Sequence, residues 1–163
     1  MIELKKAGPR DCGAIHAMQV EAFAELLEKY GDTATNPGAE PLERIEARMA
    51  QDATDYYLIL AEGRQIGAAR VQRLPENVCR VSPIFILPAF QGKGYAQAAM
   101  GALEEMYPQA EAWRLDTIKE EAKLCHLYEK LGYRRTGREE VLQPGMTIVY
   151  YEKQKRAGSG EST

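Results

Sequence analysis

Residues 78–100 contain, in direct succession, an apolar strand pattern, a glycine-rich turn and a run of helix-forming residues. The strand, "VCRVSPIFILP", carries Pro83 in its interior. Because proline has no N–H to donate to a β-ladder, Pro83 predicts a bulge, a sheet edge or a point where two strands separate. The turn that follows, "FQGKGYAQAAM", suits a phosphate cradle, a tight turn or a linker.

The glycine pair Gly92 and Gly94 completes neither of two common nucleotide-binding motifs. A Rossmann fingerprint needs a third glycine where this chain has Gln97, and a Walker loop needs four residues between its glycines. Apolar segments on both sides argue against a linker. A ligand-free turn and a phosphate cradle remain. The cradle is favoured because N–H groups at a helix N-terminus, together with the charge of Lys93, attract anions.

Hydrophobic periodicity predicts strands and hairpins along the rest of the chain. Besides the strand with Pro83, strands are predicted at residues 2–7, 56–61, 66–74, 112–118, 133–142 and 146–153. Two hairpins follow from this pattern, one within residues 56–74 and one within residues 133–153.

Four helices are predicted, and the first begins after Asp11 as a candidate N-cap. Its apolar residues at helical spacing are Ile15, Met18, Ala22 and Leu26. The second covers residues 42–49, the third follows the glycine turn, and the fourth covers residues 120–132 with Gly132 as its stop. Without a repeat or a linker, we expect one mixed α/β domain over residues 1–153 and a flexible tail over residues 154–163.

Composition excludes several classes of protein. A net charge of −3 argues against non-specific nucleic-acid binding, which usually needs a basic face. Three widely spaced cysteines indicate neither a disulfide framework nor a metal site, and His16 and His126 have no metal-type partners at useful spacing. The N-terminus lacks the apolar run of a signal peptide, and "PIFILPAF" is too short to span a bilayer. A cytoplasmic protein with no metal and no membrane or nucleic-acid partner is expected.

Two segments of the chain, residues 91–96 and residues 114–137, resemble motifs of the GNAT superfamily of acyl-CoA N-acyltransferases. The run Gln91-Gly92-Lys93-Gly94-Tyr95-Ala96 matches the family pattern Gln/Arg-x-x-Gly-x-Gly/Ala. The segment "RLDTIKEEAKLCHLYEKLGYRRTG", residues 114–137, looks like the family's second signature, a strand and a helix that ends in Leu-Tyr-Glu-Lys-Leu-Gly. The predicted order of elements from residue 2 to residue 153 is also similar to the family's.

This resemblance implies a fold and a cofactor. The fold class is α/β (α+β), with a mostly antiparallel sheet of six to seven strands, splayed between the fourth and fifth, and about four helices. Acyl-CoA lies in the splay, its pantetheine pairs with the fourth strand, and its pyrophosphate lies on the amides of the glycine turn. The cofactor-binding residues implied are Ile84, Phe85, Ile86, Gln91, Gly92, Lys93, Gly94, Tyr95, Ala96 and Gln97.

The resemblance also implies catalytic residues. Tyr128 is the candidate general acid for the leaving thiolate, and its alternative role is that of a core tyrosine in an apolar stripe. Asp116 is the candidate base, and its alternative role is to orient a loop. The chain departs from the family at Glu121, where an asparagine often contacts the cofactor. We expect Glu121 to face solvent or to cap the helix, since a carboxylate repels phosphates.

The activity implied is transfer of an acetyl group from acetyl-CoA to a primary amine, on a small molecule or a peptide. The alternatives are an inactive acyl-CoA sensor or interaction module and a nucleotide-binding α/β protein. The resemblance implies that residues 21–55 line the acceptor side of the cleft, and they hold nine acidic and three basic side chains. This asymmetry favours a cationic acceptor, and the alternative is a solvated outer face. Among oligomers a homodimer is the first candidate, because dimers are the commonest.

Overall fold

The computed structural model describes residues 1–155, in which seven strands and five α-helices occur. The strands are β1 (Ile2–Lys6), β2 (Thr54–Ala61), β3 (Arg64–Leu74), β4 (Val78–Ile86), β5 (Ala112–Ile118), β6 (Arg134–Gln143) and β7 (Met146–Gln154). The helices are α1 (Cys12–Ala22), α2 (Ala24–Tyr30), α3 (Leu42–Met49), α4 (Tyr95–Met106) and α5 (Ala122–Lys130). The predicted tail begins at Gln154, and residues 156–163 lie outside the described part.

The strands form one sheet in the order β1-β2-β3-β4-β5-β7-β6. The pairs β1–β2, β2–β3, β5–β7 and β6–β7 are antiparallel, whereas β4 and β5 are parallel. The parallel pairing joins Val78–Arg80 to Ala112–Arg114 and ends before Pro83. The mixed α/β class with a seven-stranded sheet is thus confirmed, and the strand pairing ends close to the proline that predicted an interruption.

The chain divides into two compact units, and the division runs through β4. The first unit comprises Met1–Gln72 and Ser82–Met106, and the second comprises Arg73–Val81 and the chain from Tyr107 onward. The boundary within β4 falls between Val81 and Ser82, directly before Pro83. The domain boundary expected at residue 153 stays a prediction.

In the first unit, α1 and α3 cover one face of β2 and β3. Their core comprises Ala7, Cys12, Ile15, Met18, Ile45, Tyr56, Leu58, Ala68 and Phe85. The alternate residues of the same strands, such as Tyr57, Ile59 and Val71, are buried as well. Both faces of β2 and β3 are therefore covered, which explains why these strands read as continuous apolar runs rather than as alternating ones.

The first predicted helix is two helices, because the chain breaks at Phe23. This residue has φ −105° and ψ 8°, and its ring packs edge-on against Phe85 with 5.6 Å between centroids. Asp11 precedes α1 but gives no side-chain cap to it; its Oδ2 accepts a hydrogen bond of 2.8 Å from the Gly8 N–H instead. The break explains why the structure has five helices where four were predicted.

A buried polar cluster anchors the loop between α2 and α3. Gln19 Nε2 donates to the carbonyl of Pro37 at 2.8 Å and to Glu40 Oε1 at 3.2 Å. Glu40 is 8% exposed, and its Oε2 accepts a hydrogen bond of 2.8 Å from Arg48 Nη1. A carboxylate so far removed from water needs such partners, so the loop is held to α1 and α3 by charge as well as by packing.

The hairpin of β2 and β3 turns on two residues with positive φ, Glu62 at 52° and Gly63 at 82°. Positive φ at both central positions is typical of a type I′ turn, which matches the twist of paired strands. Further along β3, Gly67 lies against β4, and a Cβ built on it would stand 2.1 Å from the carbonyl oxygen of Phe85. Only glycine allows this approach of the two backbones.

In the second unit, α5 packs on β5 and side chains alternate between the two faces of that strand. Trp113, Leu115 and Thr117 are buried, whereas Arg114 is exposed and Asp116 is partly exposed. The ring of Trp113 meets that of Tyr107 edge-on at 5.6 Å. The alternation places Asp116 on the face of β5 opposite to Leu115 and Thr117.

Candidate active site

The turn before α4 has the backbone that its glycines predict. Gly92 and Gly94 have φ values of 81° and 82°, which L-residues rarely adopt. A single 3₁₀ turn, Pro88–Phe90, leads into it from β4. The side chain of Gln91 turns back, and its Nε2 donates to the carbonyl of Ile86 at 2.8 Å. Gln91 therefore fixes the turn to the end of β4.

The amide groups of this turn are available to a ligand. Within residues 1–155, the N–H groups of residues 92–97 donate no hydrogen bond to a backbone or side-chain acceptor outside α4, and the helical ladder begins with Ala98 N–H on the carbonyl of Gly94 at 3.0 Å. Helix α4 has twelve residues, so its first N–H groups carry a partial positive charge. Lys93 adds a full charge on an exposed side chain.

The space around the turn also suits a phosphate group. A Cβ built on Gly92 or on Gly94 would meet no heavy atom of residues 1–155 within 4 Å. The glycines are therefore not required by packing inside the protein, and their conformation and small size leave the amides open on the outer side. Consecutive unpaired amides, open space and one lysine are the features that hold pyrophosphates at helix N-termini.

The end of β4, expected to pair with pantetheine, lies in the same unit as the glycine turn. Phe85 and Ile86 are 7% and 5% exposed, and Ile84 is half-buried. The side chains therefore belong mainly to the core, and the backbone of this segment is what could bind a ligand. Its path is set by Gly67, a residue that the sequence analysis did not single out. A lone glycine inside "IGAARV" was the available signal.

Tyr128 lies on α5 among other tyrosines of the second unit. Its ring is 6.3 Å from that of Tyr133 and 6.4 Å from that of Tyr151. Burial, with smaller contributions from the charges of Asp116 and Cys125, raises the pKa of Tyr128 to about 12. At neutral pH the phenol is therefore fully protonated, as a proton donor must be. The core position and the proton-donor role are compatible for this residue.

Asp116 is in the same unit as Tyr128 and is held by an arginine. Arg80 Nη2 donates to Asp116 Oδ1 at 2.6 Å, and both side chains are partly exposed, Arg80 at 31% and Asp116 at 21%. Arg80 could not be identified from the sequence, because nothing local relates a residue of β4 to one 36 positions later. The contact means that Asp116 has a structural role in addition to any role as a base.

The connection between β5 and α5 carries two glutamates with different roles. Glu121 is at the N-cap position of α5, but its side chain makes no capping hydrogen bond to the helix and is partly exposed. Of its two expected roles, capping is therefore not observed. Glu120 binds Thr147 through both oxygens, accepting from its N–H at 2.8 Å and from its hydroxyl at 3.0 Å. The backbone hydrogen bond from Thr147 lowers the pKa of Glu120. Glu120 thereby ties the start of α5 to β7.

The acidic segment, residues 21–55, is only partly exposed. Glu40 and Asp55 are buried and paired, the first with Arg48 at 2.8 Å and the second with Lys6 at 3.2 Å. Six acidic residues of the segment remain exposed: Glu21, Glu25, Glu28, Glu43, Glu46 and Asp52. The excess of negative charge therefore lies at the surface of the first unit, on and around its helices.

Residues 1–155 contain no group of three or more His, Cys, Asp or Glu side chains placed to hold a metal ion. None of the helices in this part of the chain is both long enough and apolar enough to cross a membrane.

Several solved structures with the same fold are named as acetyltransferases. The ribosomal-protein-S18-alanine N-acetyltransferase of Escherichia coli has a TM-score of 0.75 at 14% identity, with 94% of each chain covered. The spermidine N-acetyltransferase of Vibrio cholerae, in complex with CoA and spermine, has a TM-score of 0.74 at 17% identity, covering 94% of this chain and 95% of its own. An aminoglycoside acetyltransferase in complex with coenzyme A has a TM-score of 0.73 at 17% identity, with both chains covered completely.

At such low identity, these likenesses show the fold alone. No curated protein sequence matches the chain significantly. The family model described as "Acetyltransferase (GNAT) family" matches residues 20–133, which include both the glycine turn and Tyr128. Since this match spans well over half of the sequence, the chain belongs to the GNAT family of acetyltransferases and is an acyltransferase.

Proposed function

We propose that this protein transfers an acetyl group from acetyl-CoA to the primary amine of a cationic acceptor. The observation that carries the proposal is the row of unpaired amides at residues 92–97, beside glycines with φ of 81° and 82°. The backbone of Ile84–Ile86 would bind the pantetheine, and the amides with Lys93 would bind the pyrophosphate. Gln91 would keep this turn in place through its bond to Ile86.

Acetyl-CoA supplies a thioester, whose carbonyl carbon forms a bond to the amine nitrogen as the bond to sulfur breaks. Tyr128 gives its phenolic proton to the departing sulfur and regains a proton from solvent. Its pKa of about 12 keeps the phenol protonated at neutral pH, so a proton is available when the carbon–sulfur bond breaks. The proton lost by the amine goes to water or to a carboxylate.

We assign that carboxylate role to Asp116, acting directly or through a water molecule. Asp116 lies within electrostatic range of Tyr128, because its charge contributes to the raised pKa of the phenol. Arg80 engages Oδ1, so the proton would be accepted at Oδ2. The ion pair also fixes the orientation of the carboxylate, which a base needs.

The cationic acceptor is supported by the exposed carboxylates on the helices of the first unit. A surface with charge of one sign raises the local concentration of a ligand of the opposite sign. Two proteins with the same fold are named for spermidine and for aminoglycosides, and both kinds of compound carry several basic amines. A polyamine or a basic peptide terminus is therefore our first choice of acceptor. A cytoplasmic location and a homodimer stay predictions.

The test has two stages, binding and turnover. Calorimetric titration with CoA should give one site per chain, and a panel of amines with acetyl-CoA should then reveal an acceptor through release of the thiol. CoA binding with no turnover on cationic, neutral or anionic amines would favour an acyl-CoA sensor instead. Absence of CoA binding would overturn the proposal altogether.

A further inference from the structure

We propose that Arg64 is a second cationic ligand of the cofactor site and binds one of the phosphate groups of CoA. The inference rests on the proposed function, which makes CoA the ligand of the glycine turn. It adds a residue from a different element, the first position of β3, which lies in neither sequence motif.

The β2–β3 hairpin places Arg64 next to the glycine turn. The two-residue turn Glu62–Gly63 places Arg64 at the start of β3. Two residues later, the carbonyl of Ile66 accepts a hydrogen bond of 2.7 Å from the N–H of Leu87. The start of β3 therefore lies against the exit from β4, where the chain enters the glycine turn.

An aromatic ring holds the guanidinium there. The Arg64 Cζ atom lies over the ring of Phe90, 5.3 Å from its centroid. Phe90 directly precedes Gln91, the first residue of the family motif. A cation–π contact of this kind involves no oxygen acceptor, so the guanidinium N–H groups stay free to bind an anion.

The positive charge of Arg64 is not used elsewhere. The side chain is exposed, and within residues 1–155 no carboxylate forms an ion pair with it. Several other arginines behave differently; Arg48, Arg80 and Arg114 each contact a carboxylate. An exposed arginine that is held in place but unpaired is suited to a planar, bidentate contact with phosphate.

The ligand needs more positive charge than the turn contains. Lys93 is the only charged side chain between residues 84 and 103. CoA carries a pyrophosphate and a 3′-phosphate, together about four negative charges near neutral pH. Backbone amides and one lysine leave much of this charge uncompensated, so a neighbouring arginine lowers the free energy of the bound state.

Calorimetric titration of Arg64→Gln with CoA and with 3′-dephospho-CoA tests the proposal. We expect the Kd for CoA to rise by about tenfold, as for loss of a charge-assisted contact. Arg138→Gln is the matched control, because Arg138 is also exposed and lies over an aromatic ring, that of Tyr150, at 4.1 Å. This control removes the same net charge and should leave the Kd unchanged.

The two ligands identify which phosphate is bound. If Arg64 binds the 3′-phosphate, the substitution lowers the affinity for CoA but not the affinity for 3′-dephospho-CoA. If it binds the pyrophosphate, the affinities for both ligands fall equally. Phe90→Leu should reproduce part of the loss, because it frees the guanidinium without removing its charge. An Arg64→Gln variant that binds both ligands as the unmodified protein does overturns the proposal. If the unmodified protein binds neither, the proposed function itself fails.

Discussion

Arg80 and Asp116 form an ion pair of 2.6 Å across the parallel pair of β4 and β5, at the point where that pairing ends. Arg80 is the last residue of β4 in the parallel register, and Asp116 lies two residues beyond the last paired residue of β5, Arg114. The pair therefore fixes the orientation of the carboxylate that we assign as the base.

We expect Asp116→Asn to lower kcat/KM, because an amide accepts no proton. Arg80→Gln is the informative control, since it removes the ion pair and keeps the carboxylate. If Asp116 is a base, Arg80→Gln should lower kcat/KM only a few-fold. Equal losses of rate and of stability in both variants would make the pair purely structural.

Tyr128→Phe should lower kcat by about 10²–10⁴-fold while changing the Kd of CoA little, because the hydroxyl acts only as the sulfur departs. A variant with full kcat would leave Tyr128 as a core residue.

The pH profile of the unmodified protein offers a second test of Tyr128. An acid with a pKa of about 12 stays protonated up to strongly alkaline pH. The rate should therefore show no decline due to this group at pH 10, whereas a phenol of ordinary pKa, about 10, would be half ionised there. A basic limb centred near pH 10, absent from Tyr128→Phe, would contradict the raised pKa.

Gly94→Ala should raise the Kd of CoA by about tenfold or more, because a Cβ disturbs the turn and obstructs the approach to its amides. Gly145→Ala is the matched control: φ is 84° there against 82° at Gly94, and a Cβ meets no atom within 4 Å at either position. Both variants should lose about 1–2 kcal/mol of unfolding free energy from strain. Equal CoA affinity in the two variants would exclude the amides as the phosphate site.

Gly67→Ala should destabilise the protein by about 2–3 kcal/mol, the typical cost of overpacking, because the new Cβ would stand 2.1 Å from the Phe85 carbonyl oxygen. The substitution should also weaken the binding of CoA, since Phe85 and Ile86 must move. Gly101 lies on an exposed position of α4, where a Cβ would meet no atom of residues 1–155 within 4 Å. Gly101→Ala should therefore raise the free energy of unfolding by about 0.5–1 kcal/mol. Denaturant unfolding of both variants measures the difference.

If the acceptor is cationic, kcat/KM for the best amine should fall as ionic strength rises, since the screening length shortens to about 8 Å at physiological salt. The double substitution Glu21→Gln and Glu25→Gln should reduce both kcat/KM and its salt dependence. Glu105→Gln with Glu111→Gln removes two exposed charges outside the acidic segment and serves as the control. A neutral best acceptor, or one insensitive to salt, would contradict the proposal.

Much of the fold could be predicted because its signals are local. The strand over Ala112–Ile118 was predicted at its observed bounds, and Gly132, with φ of 99°, follows the end of α5 as expected of a stop residue. The prediction of one continuous first helix was wrong. The packing of Phe23 against Phe85 is a contact between residues distant in the sequence, and helical periodicity does not report such contacts.

By itself, the sequence determined the order of the elements, the family and the conformation of the glycine turn, because periodicity and positive φ depend on neighbouring residues. Only the tertiary structure decided that Arg80 holds Asp116, that Gly67 admits the backbone of β4, and that Arg64 lies on Phe90. Each of these relationships joins residues on different elements. They depend on strand register and turn geometry, which are settled only when the sheet is assembled.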